Sequence, residues 1–413
     1  MSSGALTGGA EGVGLLADPS TFVEQVPHEE IAAMRRSTPV CWQDMKDEPG
    51  FWAVLRHADV VHVARNPNLF SASEGGVVLE NLDEESLAMM RLMLLAMDPP
   101  KHVQYRRPLS EPFKGRIIAS LEPRIREISR QLIADAAQRG EVEFVHDVTA
   151  GLPTKVMGRL MGLPEEDWDL LHSLAERQTS GSDPDVVGDG SEPDFSASID
   201  MAMYAIEFAA DRRRQEPRDD LTTLILDSDF DGQPMSDADF GSFFVQLVTA
   251  GNDTTKTMLS SGLWALLQHP DQMEEVRRDL SLVPGAVEEI LRWANPLHYF
   301  RRTATENTLL ADVEIAAGEK VAMYYTSANR DELVFDDAQT FDIHRNPNPH
   351  LSFGIGEHFC LGVHLARLEG RVFFSELLSS FGRIELAGDP VRLRSNLNNS
   401  FKRLPVRLGD YRH

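Results

Sequence analysis

Cys360 lies in the run Phe353-Gly354-Ile355-Gly356-Glu357-His358-Phe359-Cys360-Leu361-Gly362, a single thiol on a glycine-framed loop. Gly354 and Gly356 carry no Cβ, so the backbone there can turn tightly and approach a flat ligand face that bulkier residues would block. Directly after the cysteine, Leu361, Leu365, Leu368 and Val372 recur at i, i+4, i+7 and i+11, which predicts an amphipathic helix whose N-terminus points at the sulfur. Unpaired N–H groups of a first turn and the helix dipole favour a thiolate and predict a lowered pKa for Cys360. That is how a soft metal ligand is presented. The alternative is a small buried thiol beside a glycine-rich turn.

Three further groupings carry chemistry. In Ala250-Gly251-Asn252-Asp253-Thr254-Thr255 polar residues interrupt a long helical pattern of Phe240, Phe244, Leu247, Val248 and Gly251, continued by Leu259, Leu263 and Leu266. Gly251 weakens the helix, and Asp253 and Thr254 compete for backbone groups, which predicts a kink or bulge that opens a small polar groove. The segment alone equally suits an N-cap at Asn252 or Asp253 between two ordinary helices. Glu289 and Arg292 stand three apart on a helix that Asn295-Pro296 ends, spacing that also suits a solvated surface pair. His102 and Arg106 project from one helical face at i and i+4 and can clasp one carboxylate together.

These residues need a large, mostly helical frame. The chain has 413 residues and 42% hydrophobic content, ample for a sizeable core. No Pro/Gly/Ser-rich linker or repeat divides it, so one domain over residues 1–413 is expected. Leu310 to Tyr325 alternates as a hairpin turning at Ala317-Gly318, with Val313 and Ile315 on one strand and Val321, Met323 and Tyr325 on the other. Residues 180–194, rich in Gly, Asp, Ser and Pro, read as a mobile connection between two helices. Two cysteines, Cys41 and Cys360, exclude a disulfide framework if Cys360 holds a metal, and Cys41 reads as a free thiol of a reducing compartment. No uncharged apolar run reaches membrane-spanning length, and residues 1–12 have neither a basic nor an apolar signal region. The formal charge of −25 argues against nucleic acid or an anionic membrane as partner.

The spacing FGxGxHxCxG resembles the haem-ligand loop of the cytochrome P-450 family, the haem-thiolate monooxygenases, and the resemblance runs from end to end of the chain. It implies the family's mainly α fold with small β-sheets, a helix-rich triangular prism with a β-rich lobe, around haem b. It also implies Cys360 as the axial iron ligand, with Phe353, Gly354 and Gly362 framing it. Ala250 to Thr255 looks like the family's (A/G)GxDT motif. By that match Ala250 and Gly251 leave room for O2, Thr254 donates a hydrogen bond to it or to a water beside it, and Asp253 relays protons. Glu289 and Arg292 look like the ExxR pair, with Arg345 as third member, a structural triad bracing the approach to the cysteine loop. His102, Arg106, His358 and Arg302 match the partners of the haem propionates, Arg301 competing with Arg302.

The resemblance further implies a cytoplasmic enzyme that hydroxylates a hydrophobic small molecule with O2 and two electrons from a ferredoxin and its NAD(P)H reductase. Arg106, Arg107, Lys114 and Arg116, with Arg367 and Arg371, form a basic island that would steer such an acidic partner, or else an ordinary solvated face. Residues 71–95 correspond to the variable loop over the haem. The wording of Ser327 to Asp331 and of Arg345 to Leu351 is similar to actinobacterial hydroxylases of sterol side-chain ends, methyl-branched lipids and terpenoids. Tailoring of a polyketide or macrolide is the alternative. A peroxygenase would normally replace Asp253 and Thr254, and a non-enzymatic haem protein would need neither.

Overall fold

A computed structural model describes residues 12–179, 183–187, 196–230 and 232–412. The helices that matter to the site are α1 (Lys101–Ser110), α2 (Glu122–Arg139), α3 (Gly151–Leu160), α4 (Trp168–Thr179), α5 (Ser196–Arg212), α6 (Asp237–Gln268), α7 (Val283–Trp293) and α8 (Val363–Ser380). The strands are β1 (Val40–Gln43), β2 (Phe51–Val54), β3 (Phe70–Ser71), β4 (Glu141–Glu143), β5 (Tyr299–Ala304), β6 (Thr308–Leu310), β7 (Val313–Ile315), β8 (Lys320–Tyr324), β9 (Phe381–Leu386) and β10 (Pro405–Tyr411). The architecture is the expected helix-rich one with small sheets. Among the described residues no helix is long and apolar enough to cross a membrane.

The helix α6 is the axle. Ser236 caps it by accepting from the Asp239 N–H, Asp237 and Asp239 complement the dipole of its first turn, and it runs 32 residues before His269 and Pro270 stop it. A stretch this long is buried on most sides: α3, α4, α5, α7 and α8 all pack on it. Phe244 packs on Tyr204 and Phe208 of α5 and on Phe240 of its own helix, ring centroids 6.0 to 6.4 Å apart. Gly251 is required by the close passage of α3, since a Cβ there would stand 2.9 Å from Met157. Of the sequence readings of residues 250–255, the second N-cap and the bulge are corrected. The α-helix continues through them without a π-turn or a second N-cap, because flanking helices bury Asn252, Asp253 and Thr255 and leave no room for a chain break.

A five-stranded sheet, in the order β1-β2-β8-β5-β3, forms the other wall. Here the hairpin expectation is corrected. The tight hairpin is β6 with β7, turning at Ala311 and Asp312, both at positive φ (47° and 65°), whereas Gly318 leads into β8, which pairs in parallel with β2 and antiparallel with β5. All five residues of β8 are buried, so its alternation reflects two packed faces and not a half-exposed ribbon. The helix after the cysteine begins at Val363, so Leu361 packs on the core from the loop that precedes it. Of the predicted connection 180–194, residues 180–182 and 188–194 lie outside the described residues.

Candidate active site

The cysteine loop is built as its glycines suggest. Gly354 and Gly356 adopt φ of +66° and +76°, and a Cβ on Gly356 would meet the Ala64 carbonyl oxygen at 2.6 Å. The Cys360 N–H donates to the Phe353 carbonyl at 2.9 Å, closing the loop, and the Arg367 guanidinium stacks 4.8 Å from the Phe353 ring. The pKa expectation is corrected: burial pushes the Cys360 thiol up, and the Gly362 N–H and the charges of Arg106 and Arg367 offset this only in part.

Cys360 opens into a cavity that extends to α6. One face of α6 supplies Phe243, Gln246, Leu247, Ala250, Gly251 and Thr254, and Val77, Leu94, Leu95, Leu297 and Phe300 close the rest with apolar side chains. Of the segment 71–95 only Val77, Leu94 and Leu95 reach this wall; Met89 is exposed and Met90 lies under Gly76. The Thr254 hydroxyl donates to the Ala250 carbonyl at 2.7 Å, one turn back. Asp253, next in sequence, faces away. Its carboxylate takes Lys256 Nζ at 3.0 Å, which also contacts Glu176 Oε1 at 3.2 Å, beside a small space lined by His172 and Asn252. Burial works against the Lys256 ammonium, but Asp253 and Glu176 more than offset it and its pKa is raised.

On the other side of the cavity four basic groups converge, and among the described residues none of them is ion-paired with a carboxylate, Asp98 acting on His102 and Arg302 only at longer range. The His102 and His358 rings lie 4.3 Å apart, both ring nitrogens of His102 and Nε2 of His358 are buried without a hydrogen-bond partner, and Arg302 donates only to the Arg301 carbonyl, at 2.8 Å. Burial, reinforced by neighbouring positive charge, brings His102 down to about 4 and His358 to about 2. Arg106 lines the same wall and donates to the Phe359 carbonyl. Arg301 instead spends its guanidinium on the carbonyls of Val78, Leu79 and Glu80, so Arg302 is the one that faces the cavity. Two guanidinium groups that meet only backbone carbonyls, beside buried ring nitrogens without partners, leave donor capacity that suits an anionic ligand. Among the described residues no group of three or more His, Cys, Asp or Glu is placed to hold a bare metal ion. One thiol, a mostly apolar cavity and a basic cradle with unused donors fit an iron porphyrin with two carboxylates.

Behind the loop stands an ion triad. Glu289 and Arg292 are fully buried, with two contacts of 2.6 and 2.8 Å, and Arg345 joins Glu289 at 3.2 Å. Arg292 donates to the carbonyls of Asn329, Ala338 and Thr340, each at 2.9 Å. Asn329 in turn holds the Leu351 N–H and the Ser352 hydroxyl, immediately ahead of Phe353. Residues from α7 thus reach the cysteine loop through one continuous polar network.

Sequence reasoning missed Lys256, Gln246 and Glu369. Lys256 stands one turn past Asp253, and Gln246 two turns before Thr254 on the same face, spacings the helix period makes available. Glu369 was hidden within the apolar pattern of α8. It lines the cavity wholly buried, accepts the Thr255 hydroxyl at 3.4 Å and leaves Oε1 unpartnered.

The family model for cytochrome P450 matches residues 195–405. A steroid C26-monooxygenase of Mycolicibacterium smegmatis is 36% identical over 399 residues, covering 94% of this chain and 92% of that relative. A methyl-branched lipid omega-hydroxylase of Mycobacterium bovis is 36% identical over 387 residues, 91% of this chain and 90% of its own. Among solved structures, a cytochrome P450 of Mycobacterium marinum in complex with pseudoionone superposes with a TM-score of 0.87 at 36% identity, covering 92% of this chain and 94% of that one.

Proposed function

Since the chain belongs to the cytochrome P450 family and is a haem b monooxygenase, we propose that it hydroxylates an unactivated C–H bond near the end of an elongated hydrophobic lipid, sterol side chain or terpenoid. The observation that carries this reading is the cavity itself, apolar over most of its wall and bounded by Cys360 on one side and Thr254 on the other. Two relatives whose names specify C26 of a steroid and the omega position of a methyl-branched lipid support terminal attack.

Bound haem supplies an iron that activates O2, and a thiolate ligand favours cleavage of the O–O bond. Cys360 provides that thiolate, while His102, Arg106, Arg302 and His358 hold the two carboxylates. The apolar walls exclude water and orient the chain end. Protons come through α6. Thr254 turns its hydroxyl from the Ala250 carbonyl toward the cavity and donates there. Asp253 takes a proton from the polar space beside His172 and Glu176, releases Lys256, and swings to supply Thr254. Electrons come from a ferredoxin with its NAD(P)H reductase.

The test is a spectral screen of the purified ferric protein against sterols, terpenoids, branched fatty acids and macrolides, followed by turnover with a surrogate ferredoxin. A substrate-type shift with a lipid or terpenoid and a terminal alcohol as product is expected. Response to macrolides alone would move the assignment to tailoring of secondary metabolites.

A further inference from the structure

The polar side chains on the cavity wall can be accounted for one by one, except the Tyr325 hydroxyl and Glu369 Oε1, which have no partner among the described residues, and one amide. His102, Arg106, Arg302 and His358 form the cradle, Ser352 is spent on Leu291 and Asn329, and Thr255 is paired with Glu369. Gln246 remains. It sits among Leu94, Leu95, Phe243 and Leu247, and its side-chain oxygen accepts the Leu95 N–H at 3.4 Å. Among the described residues its amide NH2 donates to nothing. An amide donor that an apolar ligand desolvates is left unfavourably unpaired unless the ligand itself supplies an acceptor.

Its position gives that ligand a length. Gln246, Ala250 and Thr254 succeed one another at four-residue steps on one face of an unbroken α-helix. Eight residues at about 1.5 Å each put the amide about 12 Å from Thr254 along the axis. Its chemistry gives the ligand a charge state. The cations on the cavity wall are those of the cradle, so nothing beside Gln246 compensates a carboxylate.

We infer that Gln246 is the substrate-anchoring residue, donating a hydrogen bond to an uncharged oxygen, a ketone or a hydroxyl, that the substrate carries about 12 Å from the carbon hydroxylated. This rests on the reading that hydroxylation takes place beside Thr254. It narrows the substrate class to oxygenated terpenoids or branched lipids of that span, and it disfavours free fatty acids.

The experiment uses the haem-loaded protein and three probes: geranylacetone, an acyclic branched methyl ketone of suitable length; the analogue with CH2 in place of C=O; and the matching carboxylic acid. Dissociation constants are read by calorimetry and spectral titration for the wild type and for Gln246→Leu. Where leucine impairs haem loading, Gln246→Met, of nearly the same shape, replaces it. The wild type should bind the ketone about three- to tenfold more tightly than the hydrocarbon, the range one neutral hydrogen bond spans. The acid should bind more weakly than the ketone. In the variant the ketone-to-hydrocarbon ratio should fall to about one, with hydrocarbon binding no weaker, and hydroxylation should spread along the chain. A ratio unchanged by the substitution, or no preference in the wild type, overturns the anchoring role. If no terpenoid or lipid binds or is hydroxylated at all, the broader substrate reading fails first, and this one with it.

Discussion

Glu369 stands on α8 nine residues past Cys360 and is the most costly single carboxyl in the cavity wall. Burial pushes it up from 4.5 to about 8, the Thr255 hydroxyl opposing this only weakly, so at neutral pH it is held protonated. Because the folded chain binds this proton more tightly than the unfolded one, its contribution to stability is complete below pH 4.5 and is lost as pH rises toward 8. Glu369→Gln keeps the shape and removes the titration. Thermal unfolding should therefore find it level with the wild type near pH 4.5 and more stable by a few kcal/mol at pH 9; parallel pH profiles would refute the protonated state. Thr254 poses a different question at the same scale. Its hydroxyl is replaceable as a helix residue, since its bond to the Ala250 carbonyl is local. Thr254→Ala should then retain haem and substrate binding, while product formation falls by about 10²-fold and NAD(P)H oxidation continues with release of hydrogen peroxide. Simultaneous assay of product, peroxide and NAD(P)H decides it, and unaltered coupling would remove Thr254 from the catalytic groups.

At the scale of elements, the connection from α7 to the cysteine loop is electrostatic. Glu289 holds Arg292, Arg345, the Asp342 N–H and Asn348 at once, all at 3.3 Å or less. Removing its charge strands two buried guanidinium groups, a loss of roughly 3–5 kcal/mol for a buried pair broken on one side. Glu289→Gln should lower the melting temperature and yield protein poor in haem, measurable as the ratio of haem to protein absorbance. Full haem occupancy with wild-type stability would show that the network is dispensable. The α6 element works by contrast through apolar contact, and its polar side chains are the ones that carry chemistry.

For the whole molecule the dominant fact is the charge of −25, against which a few basic positions are set. Lys114 and Arg116 are both paired with Glu111, and Arg367 with Glu288 at 2.7 Å. Among the described residues Arg107 and Arg371 are exposed and have no acidic partner, so their charge is uncompensated. If an acidic ferredoxin docks there, Arg107→Glu and Arg371→Glu should slow first-electron transfer about tenfold at low ionic strength and flatten its salt dependence, and Lys114→Glu should do much less. Stopped-flow reduction across a salt series measures this; equal effects at all three positions would contradict the pairing argument.

Local spacing alone determined a good deal. The cysteine loop, the shared face of His102 and Arg106, the Glu289 and Arg292 pair and the long α6 pattern all depend on neighbours within about two helical turns, where the 3.6-residue period dictates which side chains meet. Tertiary structure decided whatever required knowing what lies opposite. Arg301 and Arg302 point to opposite faces of β5, both buried, and only the sheet around them selects Arg302 for the cavity. Arg345 reaches Glu289 across 56 residues of chain. The strand β8 lies between β2 and β5 and is buried along its whole length, Lys320 included, which alternation within one segment cannot reveal. Cys360 has its pKa raised although a helix follows it, since burial by distant elements outweighs the adjacent N–H. Periodicity shows which face of an element is apolar; the element packed against that face settles whether a polar residue on it becomes a ligand, a lock or a core exception.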